Sequence, residues 1–242
     1  MSNDCNTSSL PRRLLGIALV PLAGLLWSTT ATAESATVIP PPQVDQPLQP
    51  AASGEKAVLA GGCFWGVQAV FQHVNGVSRV LSGYSGGTKE TADYAKVSSG
   101  RTGHAEAVEV IFDPTVVSYG TILQIFFSVA HDPTELNRQG PDVGTQYRSE
   151  IFTRDATQKR IADAYIAQLD KAGVFPKRIA TKVNDLAAFY PAEAYHQDYA
   201  TLHPNEPYIR RFDLPKIANV KRLFPSQVRS TPVLVSSAAP KG

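Results

Sequence analysis

The residue in this sequence best suited to chemistry is Cys63, which follows two glycines. A short apolar run over residues 57–60 predicts a buried strand before it, and the spacing of Val67, Val70 and Phe71 predicts a helix after it. Cys63 is therefore expected at a helix N-terminus, where unpaired backbone N–H groups and the helix dipole favour a reactive thiolate. A buried structural cysteine in a Gly-rich turn is the other interpretation that this position leaves open.

Glu106 is the acidic residue best placed to supply a proton. In a predicted strand over residues 105–112 it shares one face with three apolar residues, whereas Glu109 points to the opposite face and is expected to meet solvent. Apolar surroundings raise the pKa of a carboxyl group and keep its proton available near neutral pH. A thiol and a proton donor together suit nucleophilic attack on a centre whose oxygen must be protonated before it leaves. A solvated carboxylate at the strand end is the alternative for Glu106.

The order of the apolar segments predicts an α+β fold. In chain order, the predicted core elements are strand 55–60, helix 63–72, strand 77–84, strand 105–112, helix 118–130 and strand 148–152. This βαββαβ order is the split βαβ, ferredoxin-like arrangement, an antiparallel sheet with helices on one face. A helix over 155–171 and a strand near 179–183 are expected to follow. The connections 85–104 and 131–147 are longer than a compact fold needs, so we expect them to form the walls of a pocket over Cys63.

Residues 1–33 have the features of a cleavable signal peptide. Arg12 and Arg13 form a basic pair, an apolar run follows, and residues 31–33 provide an Ala-x-Ala cleavage site. The apolar run is short for a membrane span. We therefore expect export, to a periplasm, by either the Sec or the Tat route, and no membrane association after cleavage. An uncleaved anchor is the alternative.

Composition predicts one globular domain between two flanking segments. The 242 residues are 43% apolar and have a net charge of +2, without the basic stripe that nucleic-acid binding requires. Pro-rich residues 34–54 predict an extended linker before a domain at 55–224. The Ser-, Pro- and Ala-rich residues 225–242 predict a poorly ordered tail.

Several motifs together resemble the A-type peptide methionine sulfoxide reductases. In chain order they are Gly61-Gly62-Cys63-Phe64-Trp65-Gly66, Gly83-Tyr84-Ser85-Gly86-Gly87, Asp93-Tyr94, Thr102-Gly103-His104-Ala105-Glu106-Ala107-Val108, Gly144-Thr145-Gln146-Tyr147-Arg148-Ser149, Tyr190-Pro191-Ala192-Glu193 and Tyr195-His196-Gln197. The resemblance implies a two-layer α/β sandwich. It also implies thiol-dependent reduction of methionine S-sulfoxide, free or in oxidised proteins, which repairs oxidative damage.

The same resemblance implies roles for individual residues. Cys63 would be the nucleophile and Glu106 the proton donor. The remaining residues would bind the sulfoxide oxygen or its water (Tyr94, Asp142 and Tyr147) or hold the substrate methyl group by apolar contact (Phe64 and Trp65). Tyrosine suits the first task, because its hydroxyl donates while its ring lines an apolar pocket.

The cysteine count departs from much of this family. Only Cys5 and Cys63 are present, and signal cleavage would remove Cys5. Many members of the family have resolving cysteines in the C-terminal tail, but residues 204–242 contain none. Cys63 is therefore expected to end a turnover as a sulfenic acid. We expect no bound cofactor, a monomer, and reduction by an external thiol: a thioredoxin-like protein, glutaredoxin or glutathione, or another dithiol.

Two other functions remain open at this stage. A cysteine hydrolase would use Cys63 with His104 or His196 as its base, although two aromatic residues follow Cys63 and no cysteine-protease signature is present. A non-catalytic binding domain would not need Cys63 at all. A zinc site is rejected, because the H-x-E at residues 104–106 lacks the P-C-x-x-C segment that zinc deaminases have.

Overall fold

The computed structural model describes residues 36–48 and 54–235. The strands are β1 (Glu55–Gly61), β2 (Val77–Ser85), β3 (Ala105–Phe112), β4 (Arg138–Gln139), β5 (Asp142–Val143), β6 (Ser149–Thr153), β7 (Lys182–Asp185) and β8 (Phe189–Pro191). The helices are α1 (Phe64–Gln72), α2 (Tyr94–Val97), α3 (Tyr119–Ile125), α4 (Ala156–Ala172), α5 (Tyr199–Leu202) and α6 (Leu214–Leu223). There are two π-helical segments. Phe126–Ala130 follows α3 directly, and Ile209–Asp213 directly precedes α6.

A six-stranded sheet in the order β7-β6-β1-β3-β2-β8 organises these elements. Every neighbouring pair is antiparallel except β6 and β7. Because β3 lies between β1 and β2, which α1 connects, the predicted split βαβ unit is present. The α+β prediction is therefore confirmed, although the strand expected near 179–183 is displaced to Lys182–Asp185.

The helices form a layer on one face of the sheet. Leu59 and Val108 belong to the same buried cluster as Phe71 of α1, Ile122 of α3 and Ile161 of α4. A smaller apolar cluster lies on the opposite face, under the segment that leads into β8. Burying one face of the sheet under three helices produces the two-layer arrangement.

The pairing of β1 with β3 determines where the chemistry-bearing residues meet. The two strands are antiparallel, with Leu59 opposite Val108. The C-terminal end of β1, which leads to Cys63, therefore lies beside the N-terminal end of β3, which carries Glu106.

Residues 36–48 pack against the domain, which corrects the prediction of an extended linker for this part of residues 34–54; residues 34–35 and 49–53 lie outside the described residues. Ile39 is buried, and the Tyr165 hydroxyl donates a hydrogen bond of 2.7 Å to the Pro40 carbonyl. A Pro-rich composition favours extended backbone. It contains no information on whether the carbonyl groups of that backbone meet donors on the folded domain.

Asp45 of this segment adds to the N-terminal cap of α3. Its carboxylate accepts hydrogen bonds from the Gly120 N–H at 2.9 Å and from the Ser118 hydroxyl at 2.5 Å. The Ser118 hydroxyl in turn accepts a hydrogen bond of 3.1 Å from the Thr121 N–H. Two of the N–H groups that a helix start leaves unpaired are thus satisfied.

Residues 225–235 also pack against the domain, contrary to the prediction of a poorly ordered tail. The Arg229 N–H donates a hydrogen bond of 2.8 Å to the His73 carbonyl, and the Val233 N–H donates one of 2.9 Å to the Gln72 carbonyl. These bonds satisfy carbonyl groups that the end of α1 leaves unpaired. Composition alone does not show that the end of α1 offers carbonyl acceptors to this segment.

Two predictions concern parts of the chain outside the described residues. They are the signal peptide over 1–33 and the last part of the tail, 236–242. Among the residues that the structure describes, no helix is both long enough and apolar enough to span a bilayer.

We expect Asp45→Ala to lower the free energy of unfolding by about 1 kcal/mol, because α3 loses the acceptor for its Gly120 N–H. Urea denaturation followed by circular dichroism measures the change. Asp45→Asn keeps an oxygen acceptor and should therefore lower the free energy of unfolding by less. A stability of Asp45→Ala equal to that of the unaltered chain would contradict the docking of residues 36–48.

Candidate active site

Cys63 lies in the turn between β1 and α1, at the N-cap position of the helix. Gly62 before it has a φ of +86°, a left-handed conformation that glycine adopts without strain. A Cβ atom on Gly62 would also lie 2.5 Å from the Cβ atom of Gln139. The turn therefore presses against the connection 131–147, and Cys63 is only 9% exposed.

Glu106 contacts the start of α1. Its Oε2 atom accepts a hydrogen bond of 3.0 Å from the Phe64 N–H, and the residue is 3% exposed. Burial raises the pKa of Glu106 to about 8; the Phe64 N–H opposes the shift and the charge of Asp142 adds to it. The carboxyl group is thus protonated at neutral pH, as the alternation of apolar residues along β3 predicts.

Glu109, on the opposite face of β3, is not solvated as predicted. It is also largely buried, because the Lys56 ammonium group on β1 forms an ion pair with it at 3.1 Å. The neighbouring strand therefore supplies the partner that a single-strand pattern cannot reveal.

The surroundings of Cys63 oppose the thiolate that a helix N-terminus favours. Burial, followed by the charges of Glu106 and Asp213, raises the pKa of the Cys63 thiol well above its usual range. The Trp65 N–H at the start of α1 lowers this pKa by a smaller amount. Cys63 is therefore a thiol at neutral pH in this conformation, and the expectation of a resting thiolate is wrong.

Two aromatic side chains form an apolar wall next to the thiol. Phe64 is buried between Tyr84 and His196, with ring centroids 5.9 and 5.1 Å away. Trp65 stacks on Tyr199, with centroids 4.1 Å apart and 17° between the ring planes. Both rings are therefore held in place by other aromatic side chains, and together they can hold a small apolar group.

Tyr94, Asp142 and Tyr147 approach the same site from the two long connections. Burial and then the charges of Glu106 and Asp142 raise the pKa of Tyr147, and the charge of Cys63 adds to this. Burial and the charge of Glu106 likewise raise the pKa of Tyr94. Both phenols therefore stay protonated and can donate hydrogen bonds near Glu106 and Cys63. The structure thus brings all the site residues predicted from the sequence to one place.

The C-terminal segment reaches the same place, although the sequence pattern predicts no site role for it. The side chains concerned are Tyr208, Phe212, Asp213 and Lys216. The Tyr208 hydroxyl donates a hydrogen bond of 2.5 Å to Asp142 Oδ2. Asp213 lies so close to Gly66 of α1 that a Cβ atom there would overlap its carboxylate. The glycine at this position therefore permits the segment to dock on α1.

This segment covers one side of the thiol. The cavity next to Cys63 is lined by Gln139, Pro141, Asp142, Tyr208, Phe212 and Lys216. Its volume is about 10 Å³, roughly the space that one water molecule needs. On this side of the thiol the cavity has no room for a larger ligand.

Neither histidine considered for a hydrolase is available as a base for Cys63. Both ring nitrogens of His104 are hydrogen-bonded to backbone groups of the connection 85–104. His196 Nδ1 accepts a hydrogen bond of 3.3 Å from the Trp65 indole N–H. Within the described part of the chain, no group of three His, Cys, Asp or Glu residues is arranged to hold a metal ion.

Comparison with known proteins finds similarity to one family. A family model described as peptide methionine sulfoxide reductase matches residues 55–227. The peptide methionine sulfoxide reductase MsrA 2 of Mesorhizobium japonicum is 59% identical over 189 residues, which cover 78% of this chain and 97% of the relative. The protein of the same name from Synechocystis sp. is 53% identical over 195 residues, covering 80% and 91%. The crystal structure of reduced Mxr1 from Saccharomyces cerevisiae has a TM-score of 0.57 and 32% identity, and covers 64% of this chain and 88% of Mxr1.

We expect Phe212→Ala to make Cys63 react several-fold faster with iodoacetamide, because the substitution removes one wall of the closed cavity. Mass spectrometry of the peptide that contains Cys63 measures the rate at a fixed pH. Phe175→Ala is the matched control, since Phe175 lines a surface pocket away from the thiol. Equal rates in the two variants would show that the C-terminal segment does not control access.

Proposed function

The chain belongs to the peptide methionine sulfoxide reductase family and is a peptide-methionine (S)-S-oxide reductase, and we propose that Cys63 is its nucleophile and Glu106 its proton donor. One observation carries this assignment. Glu106 is a buried carboxylic acid with a pKa of about 8, hydrogen-bonded to the residue that follows Cys63. A protonated acid and a thiol at the same helix start are what the reduction of a sulfoxide requires.

In the oxygen-transfer step, the Cys63 thiol and the sulfoxide become a Cys63 sulfenic acid and the thioether. The S–O bond of the substrate breaks, an S–O bond to the Cys63 sulfur forms, and two electrons pass from that sulfur to the substrate sulfur. Glu106 donates its proton to the sulfoxide oxygen, and the resulting carboxylate recovers a proton from the thiol. The raised pKa of Cys63 is therefore no obstacle, because the thiol loses its proton only when Glu106 has given up its own.

Three further side chains are proposed to bind the polar part of the substrate. The Tyr94 and Tyr147 hydroxyl groups donate hydrogen bonds to the sulfoxide oxygen, and Asp142 binds the oxygen or its water. The raised pKa values of both tyrosines keep these donors protonated. The apolar wall of Phe64 and Trp65 holds the methyl group and excludes water from the sulfur atoms.

We propose that substrate enters from the side covered by the C-terminal segment, which then has to move. The cavity over Cys63 has room for about one water molecule. The hydrogen bond between Tyr208 and Asp142 holds the segment in place. When this bond breaks, the Asp142 carboxylate becomes available to bind the substrate.

We propose that the Cys63 thiol is the only thiol of the enzyme that takes part in each turnover. Cys63 is the one free cysteine in the part of the chain that the structure describes, and Cys5 is the other cysteine of the sequence. The sulfenic acid therefore waits for an external thiol, supplied by a thioredoxin-like protein, by glutaredoxin or glutathione, or by another dithiol. We propose that the enzyme acts as a monomer.

Export is proposed as the setting of this reaction. The basic pair, the apolar run and the Ala-x-Ala site within residues 1–33 support a cleavable signal peptide. Cleavage after residue 33 would remove Cys5 and leave Cys63 as the sole thiol. The mature protein would then repair oxidised methionine in periplasmic proteins, or reduce free methionine sulfoxide there.

We expect Glu106→Gln to slow oxygen transfer about 10²- to 10⁴-fold, the usual contribution of general acid catalysis. Single-turnover release of methionine measures the rate. Because Glu106 loses its proton as the pH rises through about 8, the unaltered enzyme should slow above that pH, and the variant should lack this decline. Glu109→Gln, on the opposite face of the same strand, should be close to the unaltered rate. A loss of less than tenfold in Glu106→Gln would mean that another group donates the proton.

Without reductant, we expect one mole of enzyme to release about one mole of methionine and then stop. The spent enzyme should react with dimedone at Cys63, and added dithiol should restore turnover. The full chain with Cys5→Ser should behave identically, which tests whether Cys5 takes part. Two moles of methionine from Cys5→Ser would contradict a single-thiol route, since no second cysteine is present to reduce the first.

A further inference from the structure

The segment that begins with Tyr190-Pro191-Ala192-Glu193 has no role in the reaction described so far. Glu193 of this segment accepts two hydrogen bonds through its carboxylate. Its Oε2 atom accepts one from the Tyr84 hydroxyl, and its Oε1 atom accepts one from the Tyr94 N–H, both at 2.9 Å. The second bond fixes the start of α2, which carries the Tyr94 hydroxyl into the site.

His196, three residues later, holds the other side of the site. Its Nδ1 atom accepts the indole N–H of Trp65 at 3.3 Å, so its proton must be on Nε2. Nε2 is buried without a hydrogen-bond partner and lies 4.0 Å from Glu193 Oε2. Its ring is also 5.1 Å from that of Phe64 and 4.5 Å from that of Tyr94, measured between centroids.

The segment itself is firmly attached to the sheet. Gln197 Oε1 accepts hydrogen bonds from the Ser82 N–H at 2.9 Å and from Gln68 Nε2 at 3.0 Å. Gln197 Nε2 donates to the Ser82 carbonyl at 2.9 Å. A segment bonded to both β2 and α1 can hold other side chains at fixed positions.

We propose that Glu193 and His196 are positioning residues that set the two sides of the substrate pocket relative to each other. Glu193 places the Tyr94 hydroxyl for the sulfoxide oxygen, and His196 fixes the rotation of the Trp65 indole for the methyl group. The inference rests on the proposed roles of Tyr94 and Trp65. It adds that the segment containing Glu193 and His196 positions both sides of the substrate pocket, one through a carboxylate and the other through an imidazole acceptor.

Variants of His196 in the full chain test one half of the inference. His196→Phe keeps an aromatic ring but removes the acceptor, so the KM for methionine S-sulfoxide should rise about five- to tenfold, the effect of one lost hydrogen bond. The oxygen-transfer rate at saturating substrate should change less. His196→Asn places an oxygen near the position of Nδ1 and should restore most of the affinity. Equal KM values in the two variants and the unaltered chain would overturn the role of His196.

Tryptophan fluorescence reports directly on the surroundings of the Trp65 indole. The sequence contains Trp27 and Trp65, so a Trp27→Phe background reports Trp65 alone. His196→Phe should shift the emission and His196→Asn should return it towards the original. An unshifted emission in His196→Phe would show that the hydrogen bond does not fix the indole.

Variants of Glu193 test the other half. Glu193→Leu removes both acceptors and should lower the single-turnover rate more than it raises KM, because Tyr94 acts on the oxygen in the transition state. Glu193→Gln keeps one acceptor for the Tyr94 N–H, so its single-turnover rate should lie between those of Glu193→Leu and the unaltered chain. Equal rates in Glu193→Leu and the unaltered chain would overturn the role of Glu193. Glu106→Gln in the same assay separates the two hypotheses, since an unaffected rate there refutes the proposed chemistry rather than the positioning.

Discussion

The hydrogen bond from the Phe64 N–H to the Glu106 carboxyl group joins the two parts of the structure on which the site depends. One partner belongs to the first turn of α1 and the other to the first residues of β3. The bond exists because β1 and β3 are antiparallel neighbours, so the exit of one strand meets the entry of the other. It also satisfies an N–H group that the helix start leaves unpaired. Placing a thiol and an acid side by side is therefore a consequence of sheet topology rather than of any loop.

Three acidic side chains and burial determine the electrostatics near the thiol. Acidic side chains approach Cys63 from β3, from β5 and from the π-helical segment before α6, and all of them raise its pKa. The helix N-terminus works in the opposite direction but through few N–H groups, one of which is already bonded to Glu106. Burial then decides the balance, because it penalises a thiolate and a carboxylate alike. The site consequently holds both groups neutral and keeps both protons until a substrate accepts one.

Much of the core could be predicted from local pattern. Alternation of apolar residues along β3 placed Glu106 on the buried face, and the apolar spacing after Cys63 located α1. The π-helical continuation after α3 and the partner of Glu109 were not predictable, because neighbouring elements decide them. The positions of Tyr208 and Lys216 at the site were not predictable for a different reason. Their short, partly exposed segment has no periodicity that distinguishes a docked helix from a surface one, although Tyr208 and Phe212 are spaced by four.

The flanking segments show the same limit of composition. Proline-rich and serine-rich stretches predict low intrinsic order, yet 36–48 and 225–235 both bind backbone groups of the domain. Asp45 reaches the start of α3, and Arg229 reaches the end of α1. In each case the deciding factor is a set of unpaired helix-end groups elsewhere in the chain. Such groups can be inferred only after the helices have been located.

The closed cavity over Cys63 has a consequence for the lifetime of the protein under oxidative attack. A sulfenic acid is destroyed as a working group when peroxide converts it to sulfinic acid. With Tyr208 and Phe212 in place, the cavity beside the Cys63 sulfur has space for about one water molecule, which restricts the approach of peroxide from that side. We therefore expect the docked segment to slow the further oxidation of Cys63 by peroxide. Each molecule should then complete more repairs before it is lost than one in which this segment is not docked.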